Sequence, residues 1–391
     1  MRGVAAERPT PSGQWWVQPA QSVTPGRLLL RTTTSGSSTR PSFNRRFSRS
    51  QSTLLLSKVY PGLSDAHAGG SWGGGMKTYT PTTSGTFLER LAGALAVSTF
   101  STCYFYAVLW LPAVGLLFFF VSRTAAAAAL VPYAVSAVLP AKALPWLLNT
   151  WFFRCALKYH DFDEVAETSQ EEINLIEKDK KIIFAAQPHG VMSITGICSA
   201  INMAPRPTPP TCTADVIRRI PIMKHVFGVF GLVGASSRSL KSALRRTSVV
   251  LYVGGIAELF LSNPAEERLY VGKRKGFIKL AMQTGSEVIP CYYFGNTTCL
   301  EILRHPVLTS VSRKLGASIT ILWGRWGLPI PMPGQSLCVI GQPMGIPKKE
   351  FPSEEDVDKY HALYVKEVKR IFDTYKTRLP DYKDKKIIIE T

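Results

Sequence analysis

Between Leu91 and Ser122 the chain carries no charged side chain, and this constrains its fold more than any other feature. A helix needs about 20 apolar residues to cross the hydrocarbon of a bilayer, and this stretch is longer. Arg123 interrupts it. Thr124 to Ala141 are again uncharged, and after Lys142 no charge appears before Arg154. The second stretch, AAAAALVPYAVSAVLPAKALPWLLNTWFF, is weaker, because Pro132, Pro140 and Pro145 break it. The first stretch has no charge on any face, which is unlike the amphipathic helix of a soluble domain. Bases flank the block on both outer sides, so both flanks are expected on the cytosolic face with a short turn at Arg123. Residues 86–153 are therefore expected to form a membrane-embedded hydrophobic helical hairpin, spanning or re-entrant. Trp146, Trp151, Phe152 and Phe153 at its end read as an interfacial aromatic belt.

Residues 1–85 are rich in Ser, Thr, Arg, Gly and Pro. From Met1 to Tyr60 the bases Arg2, Arg8, Arg27, Arg31, Arg40, Arg45, Arg46, Arg49 and Lys58 face the single acid Glu7. Such a segment has too little apolar surface to fold alone and is expected to be a disordered tail, with GGSWGGG at 69–75 as a flexible linker. It reads as a tail resting on anionic lipid; an Arg- and Ser-rich plastid transit peptide is the alternative. The whole chain has a formal net charge of +19, which calls for an anionic partner: nucleic acid, a membrane surface or a phosphorylated substrate. Seven cysteines are scattered without a CxxC spacing, so neither a disulfide framework nor a zinc site is expected.

Residues 154–391 read as an α/β domain. Short β-branched runs recur at Ile182–Ala186, Val249–Val253, Glu287–Phe294, Ala317–Trp323 and Leu337–Ile340. Helical patterns alternate with them, as in GFIKLAMQTG and in DVDKYHALYVKEVKRIFDTYKT, which opens on the capping box Ser353–Asp356. The alternation predicts a mainly parallel sheet flanked by helices, with ligands at the carboxyl ends of the strands.

His189 sits at such an end, in Gln187-Pro188-His189-Gly190. There is no glycine-rich phosphate loop, nucleophile elbow or HExxH spacing. What remains is this histidine, then Val253-Gly254-Gly255-Ile256-Ala257-Glu258 after a second strand, then Lys273-Arg274-Lys275-Gly276. Histidine can act as a general base near neutral pH, and glycines after strands let main-chain N–H groups approach a ligand. A basic triplet near a helix start suits phosphate. His361 reads as a helix-surface residue.

Six ordered blocks carry a resemblance: QPHGVMSI (187–194), RIPIMKHVFGVFGLVGASSRSL (219–240), VGGIAEL (253–259), RKGFIKLAMQTGSEVIPCYYFGN (274–296), GQPMGIPK (341–348) and YHALYVKEVKRIFDTYKTRLP (360–380). The chain resembles the type-2 diacylglycerol acyltransferase family and, more remotely, the glycerol-phosphate acyltransferases. The resemblance implies a glycerol-phosphate-acyltransferase-like domain that transfers a fatty acyl group from acyl-CoA to diacylglycerol to form triacylglycerol. His189 would be the base, Gly190 part of the oxyanion site, and Glu258 the carboxylate that orients the imidazole, with Asp215 a weaker candidate. Pro188, Arg238, Gly254, Gly255, Arg274, Lys275 and Gly276 would bind substrate, with Arg274 and Lys275 on the CoA phosphates. No metal and no cofactor is implied, acyl-CoA being a substrate.

The chain departs from the family's usual residues at three places. Gln187 stands where a charged residue is usual, Ile194 where the remote relatives have the Asp of His-x-x-x-x-Asp, and Asn296 where a carboxylate is usual. The expected partners are acyl-CoA, diacylglycerol and the lipid bilayer, with a second copy of the chain a further candidate and no nucleic acid. The expected location is the endoplasmic reticulum membrane, with lipid droplets and the plastid membrane as alternatives. Monoacylglycerol, a long-chain alcohol or phytol are alternative acceptors, and a non-enzymatic lipid-droplet hairpin protein is a further reading.

Overall fold

The computed structural model describes residues 85–206, 208–315 and 318–391. The tail and linker expected over residues 1–85 lie outside them save for Gly85, as does Ala317. Helix α1 (Phe87–Phe120) opens with a capping box between Thr86 and Glu89. Its apolar segments, Phe87–Tyr106 and Leu109–Phe120, meet at a bend of 64°. Pro112 lies one turn past the bend and cannot donate to the carbonyl of residue 108. Helix α2 (Arg123–Val138), capped by Ser122, runs back antiparallel, and its indole partner Trp110 donates Nε1–H to the Ala129 carbonyl at 3.1 Å. No single helix among the described residues is long and apolar enough to cross a membrane; the bent pair passes only as a broken span or re-entrant loop.

The hairpin is narrower than residues 86–153. The first half of α1 packs on the domain: a Cβ on Gly93 would lie 2.3 Å from the Cys155 carbonyl oxygen, so only glycine permits this crossing. Phe100 is buried against Phe153 and Phe230. At the other end, Leu139 turns extended before Pro140, and the Leu144 N–H bonds the Val229 carbonyl at 3.0 Å. Helices α3 (Pro145–Leu148) and α4 (Trp151–Tyr159) belong to the domain, since Leu148 and Phe153 enter its core. Trp146 and Trp151 are exposed, whereas Phe152 is half-buried and Phe153 is buried, so the four aromatic residues do not share one exposed face.

The domain continues through β1 (Phe162–Ala166), α5 (Gln170–Asp179), β2 (Ile182–Gln187), α6 (Ile194–Met203), β3 (Thr211–Thr213), α7 (Met223–Gly228), β4 (Leu232–Gly234), α8 (Ser237–Leu244), β5 (Val249–Tyr252), α9 (Ile256–Leu261), β6 (Glu267–Leu269), α10 (Gly276–Thr284), β7 (Glu287–Phe294), β8 (Glu301–Ile302), α11 (Pro306–Leu315), β9 (Leu322–Trp323), β10 (Ser336–Ile340), α12 (Glu354–Tyr375) and β11 (Ile387–Ile389). Seven strands form one sheet in the order β1-β10-β7-β2-β5-β3-β4. All neighbours are parallel except β10 and β7. The expected mainly parallel sheet flanked by helices is thus the observed one.

Alternation along β2 sorts the two cores. Ile182, Phe184 and Ala186 face α1, α4 and α6, whereas Ile183 and Ala185 face α10 and α12. The sequence predicts a strand over Ala317–Trp323; among its described residues only Leu322–Trp323 forms one, paired with β8 outside the main sheet. The α12 capping box is present, but His361 is buried, its Nε2 2.9 Å from the Val271 carbonyl. Its spacing from Val357 and Tyr364 puts it on the inward face of the helix.

Candidate active site

Five parallel strands, β7, β2, β5, β3 and β4, end on one edge of the sheet, and the loops that leave them carry most of the expected residues. Strand β2 delivers Pro188-His189-Gly190. Gly190 has φ +64°, and a Cβ there would come within 2.4 Å of the Asn296 carbonyl oxygen, so the turn requires glycine. Asn296 leaves β7 fully buried and straps this turn. Its Nδ2 donates to the Pro188 carbonyl at 2.9 Å and to Ser193 Oγ at 3.0 Å, while its Oδ1 accepts from the Thr195 N–H at 2.8 Å. A carboxylate could not make the two donated bonds.

Glu258 stands on α9, just after β5, and is buried. Its two oxygens accept from main-chain N–H groups: His189 at 2.9 Å and Tyr270 at 3.2 Å. It therefore holds the histidine's backbone rather than its ring. Gly254 makes room for it, since a Cβ there would lie 2.0 Å from Glu258 Cδ. Burial pushes the Glu258 carboxyl up to about 7, opposed by those two N–H bonds and by the Arg274 cation.

The ring of His189 is oriented by its own turn. Its Nδ1 lies 2.9 Å from the Gly190 carbonyl. A carbonyl only accepts, so Nδ1 carries the proton and Nε2 keeps its lone pair. The ring packs edge-on against Tyr252, centroids 4.9 Å apart, and burial lowers its pKa below the ordinary 6.5. The imidazole is thus neutral at pH 7. Among the described residues, the N–H groups of Gly190 and Val191 have no hydrogen-bond partner. A neutral base in a turn with two uncommitted donors has the groups needed to take a proton from a nucleophile and to stabilise an oxyanion.

The remaining expected residues divide. Arg274 lies over the Tyr270 ring at 4.7 Å, on the side of Glu258. Lys275 faces away and pairs with Asp358 of α12 at 2.6 Å. With Gly276, Lys279 and Ser353 it lines a surface cleft of about 270 Å³. Gly255, at φ +57°, starts α9. Arg238 is exposed where the chain leaves β4, three strands from β2 and so about 14 Å away. Asp215 forms an exposed pair with Arg218 at 3.0 Å and does not reach His189. Tyr252, Tyr270 and Asn296 escaped sequence reasoning as site residues; the only signal for Asn296 was its place in the Phe294-Gly295-Asn296 block. Among the described residues no cluster of His, Cys, Asp and Glu could hold a metal ion.

Human diacylglycerol O-acyltransferase 2-like protein 6 is 32% identical over 222 residues, half of this chain and 66% of its own length. Human 2-acylglycerol O-acyltransferase 3 is 27% identical over 256 residues, 59% of this chain and 73% of its own. Diacylglycerol O-acyltransferase 2 of Dictyostelium discoideum is 29% identical over 225 residues, 52% of this chain and 68% of its own. The chain thus spans about two thirds of the length of these relatives. The crystal structure of the 1-acyl-sn-glycerophosphate acyltransferase PlsC from Thermotoga maritima aligns with 71% of this chain and 95% of its own, at 18% identity and a TM-score of 0.35. A sequence profile described as diacylglycerol acyltransferase matches residues 148–390, more than half of the protein, and the chain belongs to that family.

Proposed function

We propose that the protein transfers a fatty acyl group from acyl-CoA to diacylglycerol, giving triacylglycerol and free CoA, with His189 as general base. The observation that carries this is the tautomer. Nδ1–H is committed to the Gly190 carbonyl, which leaves Nε2 with its lone pair in a turn whose Gly190 and Val191 N–H groups are uncommitted among the described residues. The acceptor hydroxyl gives its proton to Nε2 as its oxygen attacks the thioester carbon. The oxyanion forms against the N–H groups of Gly190 and Val191. It collapses as the C–S bond breaks, and the imidazolium returns the proton to the CoA thiolate. No covalent acyl-enzyme is required. Each such contact contributes roughly 10²–10⁴-fold in rate. Glu258 keeps the turn in place, and Arg274 is the base best sited for a CoA phosphate.

The hairpin holds the domain on the endoplasmic reticulum membrane. Leu109–Phe120 is about 18 Å of helix, shorter than a hydrocarbon core of about 30 Å, which favours a re-entrant limb. Monoacylglycerol is the second reading, because a relative named 2-acylglycerol O-acyltransferase matches over 59% of the chain.

Microsomes containing the chain, supplied with labelled acyl-CoA and separately with diacylglycerol, monoacylglycerol, a long-chain alcohol or phytol, test both readings. Diacylglycerol is expected to be the best acceptor. His189→Ala is expected to lower turnover by at least about 10² with expression and membrane association unchanged. Near-normal turnover in the folded variant excludes His189 as the base, and no ester with any acceptor leaves a non-enzymatic hairpin protein.

A further inference from the structure

We infer that the turn carrying Trp326 is a second, interfacial contact of the domain with an anionic bilayer surface. The inference rests on the membrane reading above and names a contact separate from the hairpin. From Ile302 to Lys349 the chain holds six bases and no acid. Within that stretch Val307, Ile321, Trp326 and Leu328 are exposed, and Trp326 is 74% exposed. Trp326 sits at the tip of a turn closed by Gly324 N–H on the Leu328 carbonyl and Arg325 N–H on the Ile330 carbonyl, both at 2.7 Å. Its φ is +59°, a conformation that a bulky side chain rarely adopts. The guanidinium of Arg325 lies 4.1 Å over its ring.

The turn is attached to the apolar helices. Ser101 Oγ of α1 donates to the Pro329 carbonyl at 2.6 Å, and the Tyr159 hydroxyl of α4 donates to the Pro331 carbonyl at 2.8 Å. It therefore stands beside the segment of α1 that leads into the hairpin. An indole at the headgroup level places its ring in the acyl boundary and its N–H in water.

Charge selects the occupant. Arg304, Lys314 and Arg325 are described cations just after β8, on α11 and in the turn, with Arg304 also donating to the Ser262 carbonyl, and Glu301, opposite Trp323 in the β8–β9 pair, is the acid that adjoins them. A second copy would bring the same positive surface, and residues 1–60 carry nine bases against one acid. An anionic lipid surface is the complementary partner. One anchor leaves a domain free to turn about it, whereas a second fixes which side of the sheet faces the lipid.

The full chain carries the test. Its seven native cysteines are buried, so Leu328→Cys, Phe119→Cys on the hairpin and Phe351→Cys, 88% exposed beside the acidic start of α12, can each take an environment-sensitive fluorophore. Unsubstituted protein gives the background. Each labelled protein is reconstituted in phosphatidylcholine vesicles with and without phosphatidylserine, then exposed to aqueous iodide or to a lipid-borne nitroxide. The probe at 328 is expected to be quenched by the nitroxide, at least about twofold more with phosphatidylserine, and to shift to iodide when Trp326→Asp is added. The probe at 351 should answer to iodide. A lipid-quenched 119 with an iodide-quenched 328 overturns this inference alone. A 328 probe shielded from both quenchers means that protein covers the turn and overturns it as well. Iodide quenching at 119 fails the membrane reading itself.

Discussion

Two neighbours set the proposed base His189, one through its own carbonyl and one through His189's backbone N–H. The Gly190 carbonyl takes the Nδ1 proton, and Glu258 takes the backbone N–H, so the ring is set by its own turn rather than by a carboxylate beside it. Burial lowers the pKa of the ring, which sets the expected pH profile. In the proposed reaction the neutral form is the active one, so activity is expected to fall as pH drops through that pKa, with the acid limb below 6.5. A limb near 7 that disappears in Glu258→Gln would assign the titration to Glu258 instead. Arg274 and Lys275 also separate at this scale. Arg274→Ala is expected to raise the KM for acyl-CoA by about tenfold or more, the scale of one charge-assisted contact, while leaving that for diacylglycerol little changed. Lys275→Ala, whose ammonium is engaged with Asp358, should change either KM by less than about threefold. Equal rises for both substrates in Arg274→Ala would point to a packing role.

Strand ends and helix starts are joined across the sheet by a few side chains, and Asn296 is one of them. It ties the loop after β7 to Pro188 and to the first turn of α6. Asn296→Ala leaves a buried Thr195 N–H and the Pro188 carbonyl without partners. The expected loss is about 2–4 kcal/mol, with turnover falling because the His189 turn loosens. Asn296→Asp restores the acceptor but not the donors, so it should recover little. Thermal unfolding of purified protein together with acyltransfer assays checks both, and a wild-type midpoint with wild-type turnover in Asn296→Ala would remove the strap from the account.

For the whole molecule, the two ends of the apolar block matter most. The first half of α1 docks on α4, and residue 144 bonds Val229, so both ends return to one domain. A hairpin tied at both ends to one domain makes an even number of crossings or none. Protease added to intact microsomes should therefore digest the chain before residue 86 and beyond residue 154. Protection of either end means an odd number of crossings and defeats the hairpin reading.

The sequence by itself determined the α/β class, the apolar hairpin and its turn at Arg123, the α12 cap at Ser353 and the position of His189 at a strand end. Each of these rests on local pattern: periodicity, charge absence, or a capping residue within four positions. What depends on residues far apart in the chain was decided only by the tertiary structure. The apolar block 91–153 could not reveal that Gly93, Phe100, Leu148 and Phe153 pack on the domain, because lipid and protein cores select the same apolar side chains. Glu258 and His189 are 69 residues apart, and spacing could not say that the carboxylate reaches a backbone N–H rather than a ring. Adjacent Arg274 and Lys275 look alike in sequence, yet the start of α10 turns one towards Glu258 and the other towards Asp358. His361 reads as polar, but the 3.6-residue period of α12 carries it inward to the Val271 carbonyl.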